Sequence, residues 1–132
     1  MSFFLDTNIV VFCLRGRSAS AMRMIHSVQS SEILLPLQVH AELLVVVAKS
    51  ADPTRSNARL TAFIASFKVV WPDDQVEAEY VAIRTQLEKQ GTRISEADLW
   101  IAATARASAG TLVTNNSREF ARVPNLAIAD WT

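Results

Sequence analysis

The sequence has little glycine, cysteine or histidine, and each scarcity excludes a class of site. The three glycines stand apart at positions 16, 91 and 110, so no glycine-rich phosphate loop can form. This excludes P-loop nucleotide binding and dinucleotide binding of the Rossmann type. Cys13 is the only cysteine, which excludes a disulfide framework, and His26 and His40 lack the spacing of zinc ligands.

The sequence also lacks a net charge and a long apolar segment. Its 13 basic residues balance its 13 acidic residues, so no global field marks the chain as a nucleic-acid binder. Ten of the basic residues are arginines, which suit local phosphate contacts. The apolar run from Leu43 to Ala48 is too short for a bilayer, and the N-terminus has no basic region of a signal peptide. We therefore expect a cytoplasmic protein that does not contact membranes.

Short apolar strands alternate with helical segments along the whole chain. Strands are predicted at 3–5, 32–35, 68–71, 111–114 and 126–128, and helices at 9–14, 19–29, 37–49, from 54, 73–89, 95–107 and from 117. This alternation predicts one α/β domain over residues 1–132. We expect three layers, with a central parallel sheet of four to five strands flanked by helices.

Asp6 follows the first predicted strand directly. In parallel sheets the carboxyl ends of the strands form the edge at which ligands bind, so Asp6 is a candidate ligand-binding residue. Asp6 can equally cap the helix that begins near Asn8. Asn115 and Asn116 follow a later strand, where a turn is the ordinary interpretation.

Two further carboxylates occupy apolar faces of predicted helices. Glu42 shares its face with Val39 and Val46, and Asp98 shares its face with Ile101. Glu42 could instead form a buried salt bridge or cap a neighbouring helix. Asp98 could instead form a capping box with the serine three residues before it.

Taken together, the three acids indicate a shared site. Clustered carboxylates repel one another, and a hard divalent cation relieves that repulsion. Mg²⁺ binds oxygen ligands, keeps several waters and accepts one or two carboxylates directly. Such a site suits hydrolysis of a phosphodiester bond.

Several motifs in order give the chain a resemblance to a known family. They are Leu5-Asp6-Thr7-Asn8, Ala41-Glu42-Leu43, the segment from Ala97 to Ala103, the segment from Thr114 to Phe120, and Ala129-Asp130-Trp131. In order, spacing and total length the chain resembles the PIN-domain ribonucleases, specifically the VapC toxins of type II toxin–antitoxin systems.

The resemblance implies a metal-dependent endoribonuclease that cuts RNA, with tRNA as the expected substrate class. It implies that Asp6, Glu42 and Asp98 are catalytic. Mg²⁺ or Mn²⁺ would lie nearest Asp6 and Asp98, with Glu42 reaching it through water. Many PIN domains carry a fourth acid where this chain has Asn116, so Asn116 or Glu119 is the candidate for a further donor.

The resemblance also implies contacts with other molecules. Candidate substrate-binding residues are Thr7, Asn8, Thr114 and Arg118, and the wider set of candidate cations also includes Arg15, Arg17, Arg93 and Arg122. A small VapB antitoxin is the expected inhibitor, within a toxin–antitoxin hetero-oligomer. A homodimer is also implied, and the apolar residues of 44–47 with Phe63, Ile64 and Phe67 are compatible with its interface. The alternative is that these residues only fill the core.

Two alternatives remain at this stage. The first is a catalytically inactive PIN scaffold that acts only as a binding partner, which Asn116 keeps open. The second is a receiver-type signalling module. Receivers need an acidic pair after the first strand and a lysine after the last, whereas Asp6 has no acidic neighbour and no lysine follows Lys89.

Overall fold

The computed structural model describes residues 1–132 and confirms the predicted alternation of strands and helices. The elements are β1 (Phe3–Leu5), α1 (Thr7–Leu14), α2 (Ala19–Ser27), β2 (Ile33–Pro36), α3 (Leu37–Ala48), α4 (Pro53–Ile64), β3 (Lys68–Val70), α5 (Asp74–Lys89), α6 (Glu96–Ala107), β4 (Thr111–Val113), α7 (Ser117–Phe120) and β5 (Ala127–Ala129). A short 3₁₀ turn at Ser30–Glu32 precedes β2. The predicted boundaries differ by one or two residues: α2 ends at Ser27, and Pro36 is the last residue of β2.

The five strands form one sheet, at the upper end of the predicted number. Its order is β3-β2-β1-β4-β5, and every neighbouring pair is parallel. The chain first builds outward from β1 through β2 to β3, and then places β4 on the other side of β1. The carboxyl ends of β1 and β4 therefore flank the topological switch point, where open parallel sheets bind ligands.

The central strand β1 and its neighbour β4 are buried because helices cover the sheet. Phe4 and Leu5 of β1 and Leu112 and Val113 of β4 are almost completely inaccessible. Helix α6 turns a row of alanines inward, and these small side chains let the helix approach the sheet closely. Gly110 precedes β4 where a Cβ atom would collide with the ring of Phe4.

Side-chain caps define where five of the helices begin. Asp6, Ser18, Asp52, Asp73 and Ser95 each accept a hydrogen bond from a backbone N–H in the first turn of the helix that follows. Each such cap contributes on the order of 1 kcal/mol. The cap at Asp6 and the cap at Ser95 also fix the start of the two helices that border the switch point. No helix of the chain combines the length and the apolar character needed to span a bilayer.

Candidate active site

A polar cavity of about 380 Å³ opens at the switch point. Its lining contains no hydrophobic residue and consists of Asp6, Thr7, Asn8, Glu42, Asp98, Asn115 and Asn116. The start of α1, the second turn of α3, the first turn of α6 and the loop after β4 contribute these side chains. The structure therefore brings the three predicted catalytic acids to one cavity, although they lie up to 92 positions apart in the sequence.

Asp6 combines the two roles that its sequence position suggested. It is the N-cap of α1, since its Oδ1 accepts the N–H of Thr7 at 2.8 Å, and it also lines the cavity. Its Oδ2 accepts the hydroxyl of Thr114 at 2.7 Å. Only 8% of Asp6 is exposed, and burial raises the pKa of its carboxyl although both hydrogen bonds act in the opposite direction.

Thr114 supports Asp6 from beneath the cavity. Its side chain is fully buried, and its hydroxyl donates to Asp6 while accepting the N–H of Asn116 at 3.0 Å. A residue in this position has no exposed surface with which to contact RNA. The contacts of Thr114 therefore favour a role in orienting Asp6 over the expected direct contact with substrate.

Glu42 is half-buried on α3 and forms neither of the structural contacts that competed with a functional role. Its Oε2 accepts the hydroxyl of Thr7 at 2.7 Å, and its Oε1 accepts no hydrogen bond from the protein. No basic side chain pairs with it, and it caps no helix. The position of the Glu42 carboxylate is thus set by a neutral hydroxyl, which leaves its charge uncompensated.

Asp98 lies in the first turn of α6, and its N–H is accepted by the Ser95 hydroxyl at 3.2 Å. The predicted helix cap is therefore present, yet the Asp98 side chain still faces the cavity. Burial, followed by the negative charges of Asp6 and Glu119, raises the pKa of Asp98 to about 7.

Glu119 completes the acidic group from the outer side. The amide Nδ2 of Asn116 donates to Glu119 Oε2 at 2.7 Å, and Glu119 also hydrogen-bonds with the carboxyl of Asp98. The hydrogen bond from Asn116 is the main cause that lowers the pKa of Glu119. Because Asn116 uses its amide nitrogen for this contact, its carbonyl oxygen remains available at the cavity. Of the two residues that the sequence offered as a further metal donor, Asn116 lines the cavity and Glu119 does not.

The acids of the cavity have no cationic partner in the protein. The four ion pairs of the structure involve neither Asp6 nor Glu42 nor Asp98. No group of three Asp, Glu, His or Cys side chains is arranged to hold a metal ion on its own. Two carboxylates with raised pKa values, a free carbonyl and space for waters nevertheless fit a hard cation that keeps part of its hydration shell.

The remaining predicted contacts have different positions. Asn8 lines the cavity, and its Nδ2 lies 3.5 Å from Oδ1 of Asn115, which sequence reasoning treated only as part of a turn. Asn115 directly follows the strand predicted at 111–114, and this position at the carboxyl edge of the sheet was the signal that could have identified it. Arg118 is exposed on α7, outside the cavity lining.

Comparison with known proteins decides the family. The profile of the PIN domain matches residues 3–126. This chain belongs to the PIN-domain family. It is 33% identical to the ribonuclease VapC2 of Rickettsia felis, with 99% of this chain and 98% of the relative aligned. It is 32% identical to the tRNA(fMet)-specific endonuclease VapC of Shigella flexneri, over 100% and 99% of the two chains.

Solved structures agree with this membership over the full length. The chain is similar to VapBC2 from Rickettsia felis bound to a promoter DNA fragment, with a TM-score of 0.92, 31% identity and complete coverage of both chains. It is similar to DNA-bound VapBC from Salmonella typhimurium, with a TM-score of 0.93 and 30% identity over 100% and 99% of the chains. The protein is thus a PIN domain of the VapC group, which excludes the receiver-type module.

Proposed function

We propose that this PIN domain is a Mg²⁺-dependent endoribonuclease toxin, with Mn²⁺ as a competent substitute, that hydrolyses phosphodiester bonds of tRNA in the cytoplasm. The observation that carries the proposal is one polar cavity in which Asp6, Glu42 and Asp98 meet without any basic partner. The relative in Shigella flexneri named as a tRNA(fMet)-specific endonuclease supports tRNA as the substrate class.

The carboxylates of Asp6 and Asp98 would hold the cation, with the carbonyl of Asn116 beside them. When bound, the metal supplies Lewis-acid stabilisation of the phosphate charge and makes a water molecule more acidic. Asp6 is fixed for this purpose by hydrogen bonds at both oxygens. Glu42 has Oε1 free to accept a hydrogen bond from water, and thereby orients the attacking molecule.

Asp98→Asn tests the catalytic assignment. The substitution removes a charge that is repelled by Asp6 and Glu119, so the variant folds, but we expect cleavage of a tRNA transcript in Mg²⁺ to fall at least 100-fold. Asp74→Asn is the matched control, because Asp74 is also a first-turn acid and lies outside the cavity. Sequencing of new RNA 5′ ends after expression of each variant gives the same comparison in cells. Normal cleavage by Asp98→Asn would disprove the site.

Metal binding separates the enzyme from an inactive scaffold. Calorimetric titration of the purified chain with MnCl₂ at pH 8 is expected to show binding that Asp98→Asn abolishes. The scaffold alternative expects no heat of binding from either protein. The presence of Asn116 in place of a fourth acid supports the scaffold alternative. That alternative does not explain, however, why the cavity keeps uncompensated charges, which are energetically unfavourable.

We also propose a VapB-type antitoxin as the inhibitor, within a hetero-oligomer. Support comes from the VapBC complexes to which the chain is similar. An apolar groove between α1, α3 and α4 is a suitable docking surface, because α1 and α3 also carry the cavity residues. Its lining includes Val11, Leu43, Val46 and Leu60, with Arg15 exposed at its rim to attract an acidic segment.

Val46→Asp tests this docking surface. Val46 lines the groove and is 36% exposed, so a charge there leaves the fold intact but opposes an apolar ligand. We expect the variant to retain RNA cleavage and to lose inhibition by the VapB-type protein encoded with it. Val81→Asp, at an exposed position of α5 outside the groove, is expected to remain inhibited.

A homodimer is proposed through the outer face of α3. Leu44 and Val45 are 42% and 51% exposed there, whereas Phe63, Ile64 and Phe67 are partly buried and pack against the core. Sedimentation velocity of the chain is expected to show a dimer that Val45→Asp converts to monomer. An unchanged sedimentation coefficient in the variant would place the interface elsewhere.

A further inference from the structure

Thr7 contacts two of the catalytic carboxylates at once. Its backbone N–H donates to Asp6 Oδ1 at 2.8 Å, and its side-chain hydroxyl donates to Glu42 Oε2 at 2.7 Å. Thr7 is the first residue of α1, whereas Glu42 lies 35 positions later on α3. One residue therefore sets the position of a carboxylate after β1 relative to a carboxylate on a different helix.

The Thr7 hydroxyl could either bind substrate or position Glu42, and the hydrogen bonds that it can form decide between these two roles. A hydroxyl has a single proton to donate, and in this structure Glu42 accepts it. The phosphate oxygens of RNA are acceptors and need a donor. With its proton committed to Glu42, Thr7 has only lone pairs to offer, so it cannot stabilise a phosphate in the way that a substrate-binding residue must.

We propose that Thr7 is a positioning residue that holds Glu42 for water orientation, and that it does not bind substrate. The contact occupies Oε2 of Glu42 and leaves Oε1 free on a side chain that lines the cavity. A hydroxyl is well suited to this task because it orients a carboxylate without neutralising its charge, as a lysine or arginine would. The proposal rests on the proposed nuclease function, since it assigns a role within that site.

Thr7→Val and Thr7→Ser form the test, because valine keeps the volume and loses the donor whereas serine keeps the donor. With a tRNA transcript in Mg²⁺, we expect Thr7→Val to lower kcat about 10- to 100-fold, which corresponds to one hydrogen bond to a charged group. KM is expected to stay within about twofold, because substrate binding is not affected. Thr7→Ser is expected to recover most of kcat.

A second readout does not require catalysis. In the Asp98→Asn background without metal, the tRNA transcript should bind equally well whether position 7 is threonine or valine. In thermal unfolding, Thr7→Val should lower the melting temperature in the parent chain but not in a Glu42→Ala background, since the acceptor is then already absent. This coupling identifies Glu42 as the partner through which Thr7 acts.

The outcomes separate the two proposals. If the parent chain does not cleave RNA, the nuclease function fails. If the parent cleaves and Thr7→Val cleaves with the same kcat, only the positioning role fails. A raised KM with unchanged kcat, or weaker tRNA binding in the Asp98→Asn background, would instead make Thr7 a substrate-binding residue and overturn the inference.

Discussion

Asp98 and Glu119 form a hydrogen-bonded pair of acids in which the pKa of Asp98 is raised and the pKa of Glu119 is lowered. Burial and the charges of Asp6 and Glu119 raise the pKa of Asp98 to about 7, while hydrogen bonds from Asn116 and Asp98 lower the pKa of Glu119. The two carboxyl groups are chemically similar but titrate in different pH ranges. Asp98 exchanges its proton near neutral pH, and Glu119 remains ionised throughout that range.

This pair predicts how the stability of the metal-free protein depends on pH. Asp98 has an ordinary pKa of 3.8 when unfolded, so between about pH 4 and pH 7 the folded state binds more protons than the unfolded state. Stability from this group is therefore present at low pH and is lost as pH rises to 7. Thermal unfolding in EDTA from pH 5 to pH 8 should show the melting temperature of Asp98→Asn rising relative to that of the parent.

Metal should reverse this trend, because only the ionised carboxylate binds a cation. With MnCl₂ in excess, the melting temperature of the parent is expected to rise more at pH 8 than at pH 5, and that of Asp98→Asn to change little. The contribution of Glu119 to stability changes only below its ordinary pKa of 4.5, which lies outside the pH range of the experiment. A pH-independent difference between parent and variant in EDTA would contradict the raised pKa of Asp98.

Asn116→Asp tests how a fourth acid at this position changes stability and metal binding. Asn116 donates its amide to Glu119, and aspartate would replace that donor with a second negative charge beside it. We expect the metal-free variant to melt at a lower temperature than the parent, because like charges repel. Its gain in melting temperature on addition of MnCl₂ is expected to exceed that of the parent. Ser117→Ala, at the next position, controls for disturbance of α7.

The sequence was sufficient to predict the parallel sheet, the positions of its strands and the meeting of three acids at one edge. Apolar runs that end on Asp6 and Thr114 define where β1 and β4 stop, and parallel pairing brings those ends together. Glu42 and Asp98 were identified because burying an unpaired carboxylate on an apolar helix face costs free energy, which indicates a functional role. These inferences depend only on local periodicity and on the geometry of parallel strands.

Side-chain partnerships across the cavity could not be predicted in this way. Whether the Thr7 hydroxyl donates to Glu42 or to a ligand depends on rotamers and on how far α3 is tilted toward α1. The resemblance offered Thr114 as a substrate-binding candidate, whereas its hydroxyl is buried and hydrogen-bonded to both Asp6 and the N–H of Asn116. The choice between Asn116 and Glu119 likewise required the loop conformation after β4.

Arg118 is predicted to contribute to RNA binding as an exposed cation on α7, beside Glu119 and the cavity. In the Asp98→Asn background, in which we expect no cleavage, Arg118→Ala should weaken binding of a tRNA transcript. It should also reduce the slope of log Kd against log salt concentration by about 1, as expected for one lost phosphate contact. Lys68→Ala is the control, because Lys68 is exposed at the amino end of β3, on the opposite edge of the sheet.

Thr114→Val is predicted to lower the free energy of unfolding more than the same substitution at an ordinary buried threonine does. It would leave Asp6 Oδ2 without its donor and the N–H of Asn116 without its acceptor, a loss of about 1 to 3 kcal/mol in the free energy of unfolding. Thr104→Val is the matched control: Thr104 is also buried, but its hydroxyl bonds only to the carbonyl of Trp100 in its own helix, and its replacement should cost below about 1 kcal/mol. Urea unfolding of both variants and of Thr114→Ser measures the difference, and equal losses for the two valine variants would show that Thr114 gives Asp6 no special support.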